Sequence, residues 1–174
     1  MDSILKNIMP TTLTKTDYIL YRECPKNAWY KIHKPDIYTE SELSEFEKSI
    51  METGNEVELV ARKLFPGGIL IERRDEEGQK TTQDYIAKNQ EILFQPIFVK
   101  DNFLAAIDIL KFDQETESYS VYEVKSTSDV DEKAHYHDLS FQIHLLKKCG
   151  LKINKAYLIH LNSEYVHSGE LDIS

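Results

Sequence analysis

The chain has 174 residues, of which 41% are hydrophobic, so it is long enough for one domain with its own core. Its apolar runs are shorter than the roughly 18 residues of a membrane span, and its first residues lack the basic and apolar regions of a secretory signal. Two cysteines, Cys24 and Cys149, are too few for a disulfide framework and fit a reducing compartment. These features predict a single cytoplasmic domain with no membrane partner. The net charge of −9 argues against a nucleic-acid surface, which is usually basic, although many of the acidic residues lie in two segments, 40–58 and 72–77.

Two short helices are predicted near the start of the chain. Thr14-Lys15-Thr16-Asp17 resembles a capping box with Asp in the place of the usual Glu, and it would open a helix that runs to about Glu23. Pro25 suits the first position of a second helix. That helix carries Trp29 and Tyr30, whose rings are expected to pack in the core.

A long amphipathic helix is predicted from about Glu42 to Phe65, because apolar residues recur there at helical spacing. Pro66-Gly67-Gly68 would end it. A short strand over 69–71 is expected next, and Thr82 is a candidate cap for a helix that runs to about Gln90.

Three strands are then predicted, over Leu93–Lys100, Phe103–Phe112 and Tyr119–Ser126. Turn-forming residues separate them at 101–102 and 113–118. The third strand alternates apolar and polar side chains, so every second residue points to the same face.

A helix over Ala134–Cys149, stopped by Gly150, and a mostly apolar strand over Lys155–Leu161 complete the prediction. The last strand is expected to be buried. The order of elements indicates an α/β (α+β) fold with a central mixed sheet flanked by helices. Since the chain has no internal repeat and no low-complexity linker, residues 1–174 are expected to form one domain.

Three charged residues could converge at one end of this sheet. Asp108 lies inside the apolar run AAIDIL, where an isolated carboxylate is costly unless it is paired or binds a metal. Glu123 and Lys125 share one face of the following strand, and a hairpin would bring Asp108 beside them. Two carboxylates suit a hard cation such as Mg²⁺, and a lysine could orient or deprotonate a water or neutralise a phosphate. The alternative is a surface hairpin with an incidental salt bridge.

The pattern of Asp108 followed by Glu123-x-Lys125 resembles the active-site signature of the PD-(D/E)XK nuclease superfamily. The predicted order of elements also matches the αβββαβ, restriction-endonuclease-like core of that superfamily. The resemblance implies a metal-dependent nuclease that hydrolyses DNA phosphodiester bonds. Asp108, Glu123 and the Val124 carbonyl would bind Mg²⁺ or Mn²⁺, and Lys125 would position the attacking water.

Within that superfamily the chain resembles the RecB-like branch. Its members carry Q-x-x-x-Y on the helix after the signature strand, and here Gln142 matches the glutamine while Leu146 stands in place of the tyrosine. The resemblance implies that Gln142 helps to orient Lys125 or the DNA. RecB-like enzymes also place a His or Glu on the long helix before the sheet. Glu56 is the candidate for this further metal ligand, with Glu52 and Glu58 as alternatives.

Three segments are similar to an uncharacterised bacterial family of RecB-like proteins related to CRISPR-associated exonucleases; they are Leu13–Trp29, Gly54–Pro66 and Leu161–Asp172. In several relatives the cysteine of the Cys-Pro pair, here Cys24, is one of four ligands to an iron–sulfur cluster, and three more cysteines lie near the end of the nuclease domain. This chain lacks those three. Cys24 alone cannot hold a cluster. Either the chain is the N-terminal fragment of a longer protein, which we favour, or the cluster is absent.

Two functions are therefore expected as alternatives. The first is a metal-dependent deoxyribonuclease, exonuclease-like at DNA ends or on single strands, with a role in DNA repair or defence. The second is a catalytically inactive module of the same fold that binds nucleic acid or protein. A zinc site at His135 and His137 is not expected, because residues two positions apart do not share a helix face. Solvated side chains are expected at both positions.

Overall fold

The computed structural model describes residues 12–38, 44–166 and 169. Across this part of the chain the architecture is mixed α/β, with five helices and two mixed sheets. The helices are α1 (Lys15–Glu23), α2 (Pro25–His33), α3 (Glu45–Arg62), α4 (Glu76–Ala87) and α5 (Glu132–Lys148). The strands are β1 (Leu13–Thr14), β2 (Ile69–Leu70), β3 (Ile92–Phe94), β4 (Ile97–Lys100), β5 (Phe103–Ala106), β6 (Ile109–Asp113), β7 (Ser118–Val124) and β8 (Ile153–Ile159).

The capping box predicted at the start of α1 is confirmed. The Thr14 hydroxyl accepts a hydrogen bond from the Asp17 N–H at 3.2 Å, and the Asp17 carboxylate accepts one from the Thr14 N–H at 3.0 Å. Helix α2 begins at Pro25 as expected. The prediction of a core position for Trp29 is wrong, because the residue is 49% exposed. Ala28 and Lys31 are the buried residues of α2, so Trp29 lies off its inward face.

Helix α3 matches the predicted long helix over its described part, whereas the predicted start at Glu42 lies outside the described residues. The helix ends at Arg62, and the chain continues through turns towards Pro66. For helix α4 the predicted cap was wrong. Asp75 caps it by accepting a hydrogen bond from the Gly78 N–H, and Thr82 lies in its interior. The fully buried Thr82 hydroxyl accepts a hydrogen bond from the Ile97 N–H, so it joins α4 to the sheet.

Two predicted strands are each broken in the middle, and together they form one bent hairpin. Gln95 has a left-handed φ of 54°, and Pro96 cannot donate a ladder hydrogen bond, so the first strand cannot run straight through this point. The base of the hairpin pairs β3 with β6, and its tip pairs β4 with β5. Across the bend the Gln95 N–H donates to the Asp108 carbonyl at 3.0 Å. The bend therefore falls at Asp108.

The larger sheet has the strand order β2-β3-β6-β7-β8, with β6 and β7 antiparallel and β7 and β8 parallel. The core is formed largely by inward residues of the sheets and of α5, among them Leu110, Val121, Leu145 and Leu146. The prediction of a buried last strand is wrong. Strand β8 is at the edge of the sheet, and the side chains of residues 154–157 are exposed. In the described residues no helix is long and apolar enough to cross a membrane.

Candidate active site

A cavity of about 350 Å³ opens where the bent hairpin, the end of β7, the start of α1 and the middle of α3 meet. Its lining contains equal numbers of acidic and basic side chains. The acidic ones are Glu58, Asp108 and Glu123, and the basic ones are Lys15, Arg74 and Lys125. The sequence is acidic as a whole, yet this cavity is balanced in charge.

Asp108 lies at the bend of the hairpin, directly before β6. One of its carboxylate oxygens accepts a hydrogen bond from the Val124 N–H at 2.8 Å, and the other accepts one from the Gln95 side-chain amide at 3.1 Å. The first bond ties the carboxylate to the end of β7, next to Glu123. The pairing of β6 with β7 therefore brings Asp108 beside Glu123, as predicted from the sequence.

Glu123 is 1% exposed and is surrounded by donors. Its Oε1 atom lies 2.7 Å from the Nζ atom of Lys15 and 2.8 Å from that of Lys125. Its other oxygen accepts a hydrogen bond from the Gln142 side-chain amide. One carboxylate is thus shared by two ammonium groups, which compensates for the cost of burying its charge.

Lys125 also forms an ion pair with Asp138, a residue of α5 that is 8% exposed. The Lys125 side chain keeps 21% of its surface exposed, so it can be reached from the cavity. Burial alone would lower the pKa of Lys125, but the Glu123 charge and the hydrogen bonds to Asp138 and Glu123 raise it above its usual value. Lys125 is therefore an ammonium donor at neutral pH, which is suited to orienting a water or stabilising negative charge.

A second hydrogen-bond network, which contains no lysine, contacts Asp108 through Gln95. The side-chain NH2 group of Gln95 donates to both Asp108 and Glu58. The side-chain oxygen of Gln95, Oε1, accepts a hydrogen bond from Arg74. Glu58 is further paired with Arg62, one helical turn along α3, at 2.6 Å. Gln95 is 5% exposed, so its amide is a fixed bridge between the two acids.

The structure places the candidate ligand of α3 differently from the first choice made on the sequence. Glu56 is exposed and does not line the cavity, whereas Glu58, two residues along the helix, does. Residues two apart on a helix point about 200° apart, so only one of the pair can face the site. Glu58 replaces Glu56 in the proposals below.

Other candidates lie as follows. Val124 lines the cavity beside Glu123. Gln142 is fully buried and donates to Glu123, and its role in orienting Lys125 or the DNA stays a prediction. Cys24 is a free cysteine at the junction of α1 and α2, and its role as a cluster ligand stays a prediction. His135 is 8% exposed, so the solvated position expected for it is wrong.

The two central carboxyls have pKa values shifted in opposite directions. Burial, and then the neighbouring negative charge of Glu123, raise the pKa of Asp108 to about 7. Burial would also raise the pKa of Glu123, but Lys15 and Lys125 outweigh it and lower that pKa to about 2. The negative charge of Glu123 is therefore compensated by the two lysines, whereas Asp108 lacks a sufficient positive partner.

The pH dependence of stability is expected to reveal this asymmetry. The pKa of Asp108 is higher in the folded protein than its ordinary value of 3.8, so the folded state holds this proton more tightly than the unfolded chain. The stabilisation is complete below pH 3.8 and is lost as pH rises to about 7. We expect urea unfolding of the metal-free protein to show the free energy of unfolding of wild type falling relative to Asp108→Asn across this window. A constant difference would contradict the raised pKa.

The donor set fits a hard divalent cation. Asp108 and Glu123 offer carboxylate oxygens, and Mg²⁺ is commonly held by one or two carboxylates while it keeps several waters. Burial and Glu123 raise the pKa of Asp108, and a cation bound beside it would favour its ionised form. In residues 12–38, 44–166 and 169, however, no three or more His, Cys, Asp or Glu side chains are gathered in a ready metal-binding group. Any protein contribution beyond the two carboxylates would need Glu58 or the Val124 carbonyl.

Comparisons of the chain with protein-family models, with curated proteins and with solved structures find no match.

Proposed function

We propose that this chain is a metal-dependent nuclease domain of the PD-(D/E)XK type, which hydrolyses phosphodiester bonds of DNA at ends or in single strands. The observation that carries the proposal is the convergence of Asp108, Glu123 and Lys125 on one cavity, with Lys125 2.8 Å from Glu123. A surface hairpin with an incidental salt bridge does not account for a glutamate that is 1% exposed and shared by two lysines.

The order of the central elements also supports the proposal. Helix α3 is followed by β3, β6 and β7 as neighbouring antiparallel strands, then by α5 and by β8, which pairs parallel to β7. With β2, α4, β4 and β5 left aside, this order supports the αβββαβ core that the superfamily resemblance implies. Asp108 lies directly before the second of these strands, and Glu123 lies on the third.

Five residues of the cavity have roles in the proposed hydrolysis. Asp108, Glu123 and Glu58 would bind Mg²⁺ or Mn²⁺, with the Val124 carbonyl as a further ligand. When bound, the cation would polarise the phosphate and acidify a water molecule. Lys125 would hold the attacking water and stabilise the charge on the phosphate, because it stays protonated. The oxygen of the water forms the new bond to phosphorus, the bridging P–O bond breaks, and the leaving oxygen takes up a proton.

Gln142 and Asp138 would act through the other residues. Gln142 donates to Glu123 and so fixes the rotamer of a ligand, and Asp138 holds Lys125 from its other side. Fixing side chains in this way is what a hydrolytic site requires, because a small displacement of a catalytic group lowers the rate strongly.

End-labelled single- and double-stranded DNA tests the proposal. We expect cleavage in the presence of Mn²⁺ or Mg²⁺ and none when the ions are removed by a chelator. If DNA stays intact with either ion while the chain binds it, the chain is an inactive binding module of the same fold instead.

A further inference from the structure

We infer that Lys15 is a phosphate-binding residue of the site, released from Glu123 when the divalent cation binds. Nothing in the sequence pattern assigned it a role. This inference rests on the proposed function, and it identifies a substrate contact on helix α1, outside the Asp108–Lys125 signature.

The first observation is that Glu123 has two cationic partners on one oxygen atom. Lys15 and Lys125 approach the Oε1 atom of Glu123 within 0.1 Å of the same distance, at 2.7 and 2.8 Å. A divalent cation bound by this oxygen would repel both ammonium groups, because like charges at such separations interact strongly in a partly buried site. The two lysines and the cation cannot all stay at the same atom.

The second observation is that the two lysines have different partners left once Glu123 binds a cation. Lys125 is in direct contact with Asp138, so it keeps a carboxylate partner. The Nζ atom of Lys15 is 3.8 Å from the same carboxylate, which is the limit of an ion pair. Lys15 therefore loses its main partner, whereas Lys125 is retained in place.

The third observation is the position of Lys15. It is the first residue of α1, where the capping box of Thr14 and Asp17 fixes the backbone, and it lines the cavity together with Thr14 and Thr16. Its side chain is 29% exposed, more than that of Lys125. An ammonium group on a fixed backbone, in the lining of the cavity that contains the proposed metal ligands, is placed to bind a phosphate oxygen of the substrate.

Lys15→Ala tests this inference, with Lys26→Ala as the matched control. Lys26 is an exposed lysine of the next helix, α2, and does not line the cavity. Titration of Mn²⁺ into Lys15→Ala is expected to show binding about threefold to tenfold tighter than wild type, because a competing positive charge is gone. Binding of a single-stranded oligonucleotide in Ca²⁺, measured by fluorescence anisotropy, is expected to weaken about tenfold through loss of a charged contact.

Kinetics separate this role from a structural one. With Mn²⁺, the Lys15→Ala variant is expected to raise the KM for DNA more than it lowers kcat, and Lys15→Arg is expected to restore most of the DNA affinity because it keeps the charge. Lys26→Ala should behave as wild type in all measurements. Circular dichroism spectra of the variants, matched to wild type, show that each variant is folded.

The outcomes distinguish this inference from the proposed function. If wild type binds Mn²⁺ and cleaves DNA but Lys15→Ala has unchanged metal and DNA affinities, the inference is overturned and the nuclease proposal stands. A variant with weaker metal binding would also overturn it, since Lys15 would then support the ligands instead of competing with the ion. If wild type neither binds Mn²⁺ nor cleaves DNA, both are overturned.

Discussion

Replacing Glu123 by Gln is expected to abolish cleavage and to destabilise the metal-free protein by about 2 kcal/mol. The variant leaves Lys15 and Lys125 facing a neutral amide, and only Lys125 keeps a carboxylate in direct contact. Removing one partner of a fully buried ion pair costs about 3–5 kcal/mol. The expected cost is smaller because the two lysine side chains are 29% and 21% exposed and can recover hydration. Urea unfolding of the metal-free protein measures it.

Asp108→Asn is the matched variant, and its effect on stability is expected to have the opposite sign. It also removes a carboxylate from the proposed metal site, so cleavage should be lost equally. At pH 8, however, it removes a charge that burial and Glu123 disfavour, as the raised pKa of Asp108 indicates. One of the two hydrogen bonds that Asp108 accepts from Gln95 and Val124 is lost in return, because asparagine has a single acceptor oxygen. We expect a net gain of about 1 kcal/mol. A loss of stability as large as that of Glu123→Gln would show that Asp108 is already compensated without a metal.

Lys125→Ala is expected to reduce the rate of DNA cleavage by about 10²–10³-fold, the usual cost of losing one donor to a transition state. The fold should persist, because Lys15 remains 2.7 Å from Glu123 and continues to neutralise it. Single-turnover cleavage with Mn²⁺ measures the rate, and thermal unfolding checks the fold. Lys133→Ala is a suitable control, since Lys133 is an exposed residue at the start of α5. Cleavage that survives in Lys125→Ala would assign the activity to another site or to a contaminant.

Elements with local signals could be predicted from the sequence, and elements set by distant packing could not. The capping box at Thr14 and the helix start at Pro25 depend on neighbouring residues alone, and both are confirmed. The alternation of β7 is confirmed too, because Tyr119, Val121 and Glu123 are buried while Ser120 and Tyr122 between them are only partly buried. The exposure of β8 was missed because an apolar run does not tell whether another element covers it.

The same distinction applies to the site. Asp108 directly precedes β6, Glu123 lies on β7 and Lys125 directly follows β7. Since β6 and β7 form a hairpin, the convergence of these residues follows from a short stretch of sequence. Lys15 is 108 positions from Glu123, and no local pattern could indicate that contact. Choosing between Glu56 and Glu58 requires knowing how α3 is rotated about its axis. The apolar pattern of the sequence does not define that rotation precisely enough. Pro96 was the available signal for the bend, since a proline inside a predicted strand cannot donate to the ladder.

We propose that the Asp108 and Glu123 carboxylates together hold a divalent cation. Titration of the metal-free protein with Mn²⁺, followed by calorimetry for wild type and for Asp108→Asn, measures this binding. We expect wild type to bind one Mn²⁺ in the micromolar-to-millimolar range and Asp108→Asn, although folded and at least as stable, to bind none in that range. Absence of binding to wild type, or equal binding to both proteins, would contradict the claim.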